Sequence, residues 1–379
     1  MKPAGALGAA ALALAALAWW QAGADEADVA ARVPRVARTD AWPPPLPARP
    51  LDEAAPVPLR PAPAASLEAA PVAAAVFDIC GLGRLSAPAG FAADAAAGGV
   101  DALPAPVGRE PLAQARERML AGLRAGPPRA RVAAQLMLQP GADDETGRAA
   151  WAQATVQQAL QSQDAVALAW AEEACGHLAD GPVCRLSLIR ARLRLEPDNG
   201  HHWAALADED PGAADEAWRG LQQARRWHEA PQALLLATQA QLPADVPGYL
   251  RQALGAEMAL RAAALPSPGE GFLLERCRGA DAARRNECDA LAHLLVERSD
   301  AAQALSQGQR IAQAAGWPAE RLQELQREIQ ALGRRGWAAD AQQPLSCASV
   351  ETWQRHVAEL AAGGELAALR TRQAEGALK

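Results

Sequence analysis

From about Glu110 onward the chain repeats one texture: apolar residues return every three or four positions, and clusters of Gly, Pro or Asp interrupt them. Spacings of three and four place side chains on one face of an α-helix, so each stretch predicts a short helix with a single buried stripe. Leu186, Ile189 and Leu193 follow Cys184 in this way, and Leu291, Leu294 and Leu295 follow Cys288. The interruptions include Gly126-Pro127-Pro128, Pro140-Gly141, Pro197-Asp198-Asn199-Gly200 and Gly316-Trp317-Pro318, residues that break one helix and cap the next. Short amphipathic helices cannot each build a core alone, so they must stack on their neighbours. The expected fold is all-α, an α-solenoid of antiparallel helix pairs over residues 110–379.

Composition agrees with this. Half of the residues are hydrophobic and alanine supplies much of that half, while aromatic residues make up 4%. Alanine favours helix and offers little to pack on a pleated sheet, so almost no strand is expected. The formal charge of −7 argues against nucleic acid as a partner, because holding phosphates needs clustered Lys and Arg.

The N-terminal quarter reads differently. Residues 4–20 form an uncharged run behind Lys2, the layout of an export signal. As a helix the run spans about 25 Å, slightly short for a hydrocarbon core of about 30 Å, although Trp19 and Trp20 suit a far-side interfacial anchor. Ala22-Gly23-Ala24 before Asp25 offers a small-x-small cleavage site. Residues 1–24 are therefore read as a signal peptide or a signal anchor. Either places the remainder on the oxidising side of a membrane, periplasmic or in the cell envelope, touching the bilayer only through the N-terminal segment if it is uncleaved. Residues 25–75 are a Pro/Ala-rich linker expected to be disordered and extended: ten of the thirty residues from Trp42 to Pro71 are proline. Residues 76–109 read as a loop tethered at Cys80, and Gly81-x-Gly83 within it is too incomplete for a phosphate loop.

An export signal makes disulfides the expected fate of the six cysteines. Cys175 and Cys184 flank one turn, Cys277 and Cys288 another, and each pair would clamp a helical hairpin. Cys277 lies 102 positions after Cys175, three times the 34-residue length of a two-helix repeat. Cys80 and Cys347 are left to pair by parity alone. Six cysteines allow fifteen connectivities, and sequence does not choose among them.

At Leu195-Glu196-Pro197-Asp198-Asn199-Gly200-His201-His202-Trp203-Ala204-Ala205-Leu206-Ala207 the chain resembles the junction between tetratricopeptide repeats. There a proline closes one unit, and a Trp, then a Leu and a small residue, open the next. Asp198 or Asn199 is placed to cap the new helix. The chain departs from the family pattern at Asp208-Glu209-Asp210-Pro211, where an aromatic residue is wanted. More broadly, residues 110–335 resemble uncharacterised exported helical-repeat proteins of proteobacteria. That resemblance implies a fold and a compartment, and no cofactor, activity or site residue.

No motif for catalysis stands out. His201 and His202 point about 100° apart on a helix and are expected to face solvent in its first turn rather than to share a metal. Cys175-Gly176-His177 with Cys184 would suit zinc only in a reducing compartment, and Glu172-Glu173 reads as a solvated face. No metal, cofactor or catalytic residue is assigned. Tryptophan is the over-represented aromatic, eleven against three Phe and one Tyr. Most are expected to anchor helix interfaces. Trp218 and Trp227, either side of Arg225-Arg226, are the candidates for a binding surface. The expected function is a non-enzymatic scaffold that engages another, unidentified protein; an envelope enzyme on a helical scaffold and a purely structural envelope component are the alternatives.

Overall fold

The computed structural model describes residues 75–87, 108–141, 143–263, 270–279, 281–333 and 345–377. The hydrophobic run 4–20 and the proline-rich linker lie outside them. Among the described residues, two strands, β1 (Ala75–Ile79) and β2 (Gly83–Ala87), precede fourteen helices. These are α1 (Arg109–Ala125), α2 (Pro128–Met137), α3 (Glu145–Ser162), α4 (Ala165–Cys175), α5 (Gly181–Leu195), α6 (Gly200–Glu209) and α7 (Ala214–Gln223), then α8 (Ala233–Ala240), α9 (Gly248–Ala263), α10 (Glu270–Cys277), α11 (Ala282–Glu297), α12 (Ala302–Ala315), α13 (Ala319–Gly333) and α14 (Cys347–Ala377).

The cap expected at Asp198 or Asn199 falls on Asn199, and three other helices start at an Asp that does the same work. Asp144, Asp164, Asn199 and Asp281 each accept a hydrogen bond from a backbone N–H of the first turn that follows, at 2.8–3.3 Å. Each such cap satisfies an N–H that has no partner within the helix. Of the predicted stripes, Ile189 and Leu193 in α5 and Leu291, Leu294 and Leu295 in α11 are buried, and Leu186 is half-buried.

Residues 76–109 are expected from sequence to be a loop tethered at Cys80; Cys80 is tethered, and among the described residues 75–87 form a hairpin in place of a loop. Phe77 and Ile79 alternate with Val76 and Asp78, a period of two that buries the first pair and exposes the second. Phe77 pairs with Leu85 and Ile79 with Gly83 across the two strands. Gly81 and Gly83 adopt φ of +86° and +75°, the left-handed values that let the strands reverse. These glycines serve a turn. The hairpin is too short to register as strand by composition, and a two-stranded hairpin depends on its attachment to the helical core for stability.

Consecutive helices pack on one another from α1 through α7, then from α8 to α9 and from α10 through α14. The chain also returns upon itself: α8 packs on α2, α9 on α1, α10 on α6, α11 on α7, and α14 on α8 and α9. A simple solenoid has contacts only between neighbouring repeats. These return contacts go beyond the solenoid expected from sequence, for a physical reason. Periodicity reports which face of a helix is buried and is silent on which distant helix covers it.

The crossing from α7 back to α8 is made by an extended strap, residues 224–232, which passes between the α5–α6 turn and the α11–α12 turn. Trp227, in its middle, is 1% exposed. A Cβ added to Gly200 would lie 2.9 Å from the Trp227 ring and 3.1 Å from Leu294, so only glycine allows the strap this close to the start of α6. Gly200→Ala is therefore expected to destabilise the fold by about 1–3 kcal/mol, the usual cost of overpacking, read as a lower denaturation midpoint with an unchanged slope.

Candidate functional site

The densest cluster of polar and titratable groups surrounds this strap. Its extended backbone has no helical partners of its own, and two side chains supply them. Asn199 is fully buried. Its Oδ1 accepts the His228 N–H at 3.0 Å, and its Nδ2 donates to the His228 carbonyl at 2.9 Å, so the amide acts as a neighbouring strand would. On the other side Asp300 accepts from the N–H groups of Glu229 (2.9 Å) and Ala230 (3.1 Å). Backbone bonds complete the tie: Gly200 N–H to Arg226 O, Arg225 N–H to Asp198 O, and Trp227 N–H to Arg298 O. Ala230 takes φ of +50°, a left-handed value uncommon for a residue with a side chain, where the strap turns into α8.

The C-terminal helix joins the same node. Gly364 breaks α14 with φ of +77°. Immediately beyond it Glu365 accepts from Ala302 N–H at 3.0 Å and from Gln232, and Leu366 N–H donates to Asp300 O at 3.1 Å. Burial pushes the Glu365 carboxyl above the usual range.

Beneath Asn199 lies a buried charge. Arg192, 2% exposed, donates to Glu172 and, through Nη2, to Nδ1 of both His201 (3.0 Å) and His202 (2.8 Å). A guanidinium only donates, so both Nδ1 atoms accept and both imidazoles carry their proton on Nε2. His202 Nε2 then donates to Glu196 at 3.0 Å. Burial, reinforced by the Arg192 charge, lowers His201 well below its ordinary value and His202 to about 4. The His202 and Asn199 hydrogen bonds hold Glu196 near 2, so the His202–Glu196 contact at neutral pH joins a neutral donor to a carboxylate. Burial pushes Glu172 upward, against the opposing pull of Arg192.

The solvent-facing histidines and solvated Glu172 expected from sequence are thus corrected: His201 and His202 are 6% and 3% exposed, and the Glu172 side chain 12%. Arg192 is the reason. A polar side chain is buried when a partner meets it, and this partner sits on the buried face of α5 among leucines. No short spacing announces it. Nor is the cluster suited to a metal, since Arg192 occupies the lone pairs a cation would need. Among the described residues no group of three or more His, Cys, Asp or Glu is placed to hold one.

His228 is the accessible member, with 39% of its side chain exposed and Nδ1 2.7 Å from Asp300 Oδ2. Its hydrogen bond to the Asp300 carboxylate raises it above its ordinary value. Burial favours a higher Asp300 pKa, and the bonds from His228, Glu229 and Ala230 more than offset it, holding the carboxyl low. The described contacts of the Asp300 carboxylate, to His228, Glu229 and Ala230, all fall on the strap. This arrangement satisfies the hydrogen bonds of an extended backbone segment.

Trp218 and Trp227 do not line an exposed groove. Trp218 is 8% exposed and its indole N–H donates to Glu287 at 2.8 Å; Trp227 donates to Glu229 at 2.7 Å. The core takes both because each indole N–H finds a carboxylate. Arg225 is exposed, and Arg226 pairs with Asp198 at 3.3 Å and Glu196 at 3.4 Å. The four residues are near one another in sequence and do not form one surface. The structure pairs Cys175 with Cys184, Cys277 with Cys288 and Cys80 with Cys347, and no cysteine is free. A shallow cleft of about 500 Å³ opens beside the Cys277–Cys288 hairpin, lined by Phe272, Arg276, Arg278 and Arg284. Its charges are partly spent, with Arg276 on Asp215 and the Asp281 carboxylate on the Arg284 N–H.

Comparison with protein-family models, curated proteins and solved structures returns no match.

Two outcomes follow from the buried cluster. Arg192→Met leaves Glu172 unpaired in the interior and is expected to cost about 3–5 kcal/mol, while adding Glu172→Leu recovers part of the loss; thermal or denaturant unfolding of the double-mutant cycle measures both. The pH dependence has a defined sign. His202 binds a proton near 6.5 when unfolded and near 4 when folded, so its contribution is complete above 6.5 and is lost as pH falls towards 4. That shift corresponds to roughly 3 kcal/mol. His201 acts in the same direction, and Glu172, raised on folding, opposes them as pH rises above 4.5. Denaturation midpoints are expected to climb from pH 4 to 6.5, and His202→Gln to flatten the climb. Above 6.5, His228 loses its contribution as pH rises through its raised value.

Proposed function

We propose that this chain is an exported, cell-envelope protein of tetratricopeptide-like helical repeats that serves as a non-enzymatic scaffold for another protein. The observation that carries the compartment is the cysteine pairing. All six cysteines are joined within the chain, which suits an oxidising, extracytoplasmic environment. The repeat reading is supported by neighbouring helices that pack in succession and by the α5–α6 junction. There Asn199 caps α6, Trp203 donates to Pro197 O at 2.8 Å, and Leu206 and Ala207 are buried. The interaction role is supported by the use of the buried and half-buried polar groups: Arg192, Asn199, Asp300 and Glu365 are committed to joining helices and the strap, which leaves recognition to the outer surface. Leu160, Val183 and Leu195 are large apolar side chains more than 40% exposed on that surface.

Mass analysis of the mature protein, reduced and unreduced, tests the compartment: the expected result is three intramolecular disulfides, and free thiols would overturn it. Photo-crosslinking groups placed singly at Leu160, Val183 and Leu195 of the full chain in the producing cell test the scaffold. A discrete protein adduct at one or more of them is expected. Finding none, with the protein folded and exported, favours a purely structural component.

A further inference from the structure

The three disulfides differ in how solvent reaches them. Cys175, Cys277 and Cys288 are 0% exposed and Cys184 is 8% exposed, whereas Cys347 is exposed and Cys80 half-buried. The accessible bond also joins the most distant parts of the chain, with a sequence separation of 267 against 9 and 11 for the others. It fastens a two-stranded hairpin to the beginning of α14. Beside it, Cys80 N–H donates to Leu345 O at 3.0 Å, and Phe77 and Ile79 enter the same apolar cluster as Leu345 and Val350. A hairpin of two strands has little stability of its own.

We propose that Cys80–Cys347 is a thiol–disulfide exchange site, opened by a dithiol reductant while the two buried disulfides stay closed, and that opening it frees the β1–β2 hairpin from α14. This goes beyond the scaffold reading and does not depend on it. A thiolate of the reductant attacks Sγ of the more exposed cysteine, Cys347, forms a mixed disulfide and expels Cys80 as a thiolate. The second thiol of the same reductant then attacks its own sulfur in the mixed disulfide, releases Cys347 as a thiolate and leaves the reductant as a disulfide. Two electrons pass to the protein, and the two protons of the reductant end on Cys80 and Cys347 or in solvent. Cys347 is the first residue of α14, with Ser346 Oγ accepting the Ser349 N–H behind it. A helix N-terminus stabilises a thiolate and makes it a better leaving group in the second step.

The test uses the oxidised full chain, limiting dithiothreitol, and differential alkylation read by mass spectrometry. Cys80 and Cys347 are expected to take the label at least about tenfold faster than the other four cysteines. Equal or faster labelling of Cys175, Cys184, Cys277 or Cys288 would overturn the proposal. Amide hydrogen exchange on the selectively reduced protein tests the second half. Faster exchange is expected in residues 75–87 and 345–353, with α3–α7 unchanged. Unchanged exchange in the hairpin, or loss of protection throughout, would show that the bond does not act as a local latch. The Cys80→Ser/Cys347→Ser double variant is expected to show the same local pattern without reductant.

Discussion

An extended backbone running through a helical protein must find hydrogen bonds from somewhere. Residues 224–232 face this constraint: they carry the chain from α7 back towards α1 and α2, with Trp227 buried midway, and no helix or sheet of their own serves them. The solution is a pair of short side chains. Asn199 presents both its donor and its acceptor to the His228 peptide, and Asp300 takes two successive N–H groups. Each of these residues also has a second task, since Asn199 caps α6 and the Asp300 carbonyl receives α14 at Leu366. The return of the chain, the start of a helix and the docking of the last helix thus share one set of bonds.

The buried charge nearby follows from the same crowding. Asn199 needs Glu196 as well as His228, and Glu196 is held ionised by His202. His202 can donate to Glu196 only because Arg192 fixes its proton on Nε2. Arg192 in turn requires Glu172, or the interior would hold an uncompensated cation. The order of dependence runs inward, from an exposed turn to a guanidinium almost without solvent. An apolar substitute for Arg192 and Glu172 would fill the space and leave the two histidines with no fixed tautomer, so the ion pair supplies orientation that packing alone does not.

Much of the fold is legible in the sequence because helix faces and helix ends are local properties. Ile189, Leu193, Leu291 and Leu295 announce their burial by spacing, and Asn199 announces a helix start by residue type. What is not legible depends on distant partners. His201 and His202 read as exposed because their environment is set by Arg192 on another helix, and Trp227 reads as a surface residue because its acceptor, Glu229, belongs to a strap with no periodic signal. The hairpin escapes for a different reason. Its alternation covers only Val76 to Ile79, and the run of alanines before it hides the change of period.

The cysteines sit between these cases. Local pairs flank turns, so their proximity follows from the helices themselves, and each closes a loop whose ends the fold has already brought together. By the loop-entropy account such short closures contribute about 3 kcal/mol each. Cys80–Cys347 closes a loop more than twenty times longer, yet only modestly more is gained, because the entropy grows with the logarithm of length. Length is therefore a poor guide to what this third bond does. Its position says more: it lies at the surface, where a two-stranded hairpin meets the first turn of a helix whose far half is tied to the Asp300 node. Removing it leaves that node intact, since Leu366, Glu365 and Gln232 lie well beyond the attachment. The two local disulfides each clamp one helical hairpin within the body of the fold, whereas the exposed one joins the β1–β2 hairpin to the start of α14.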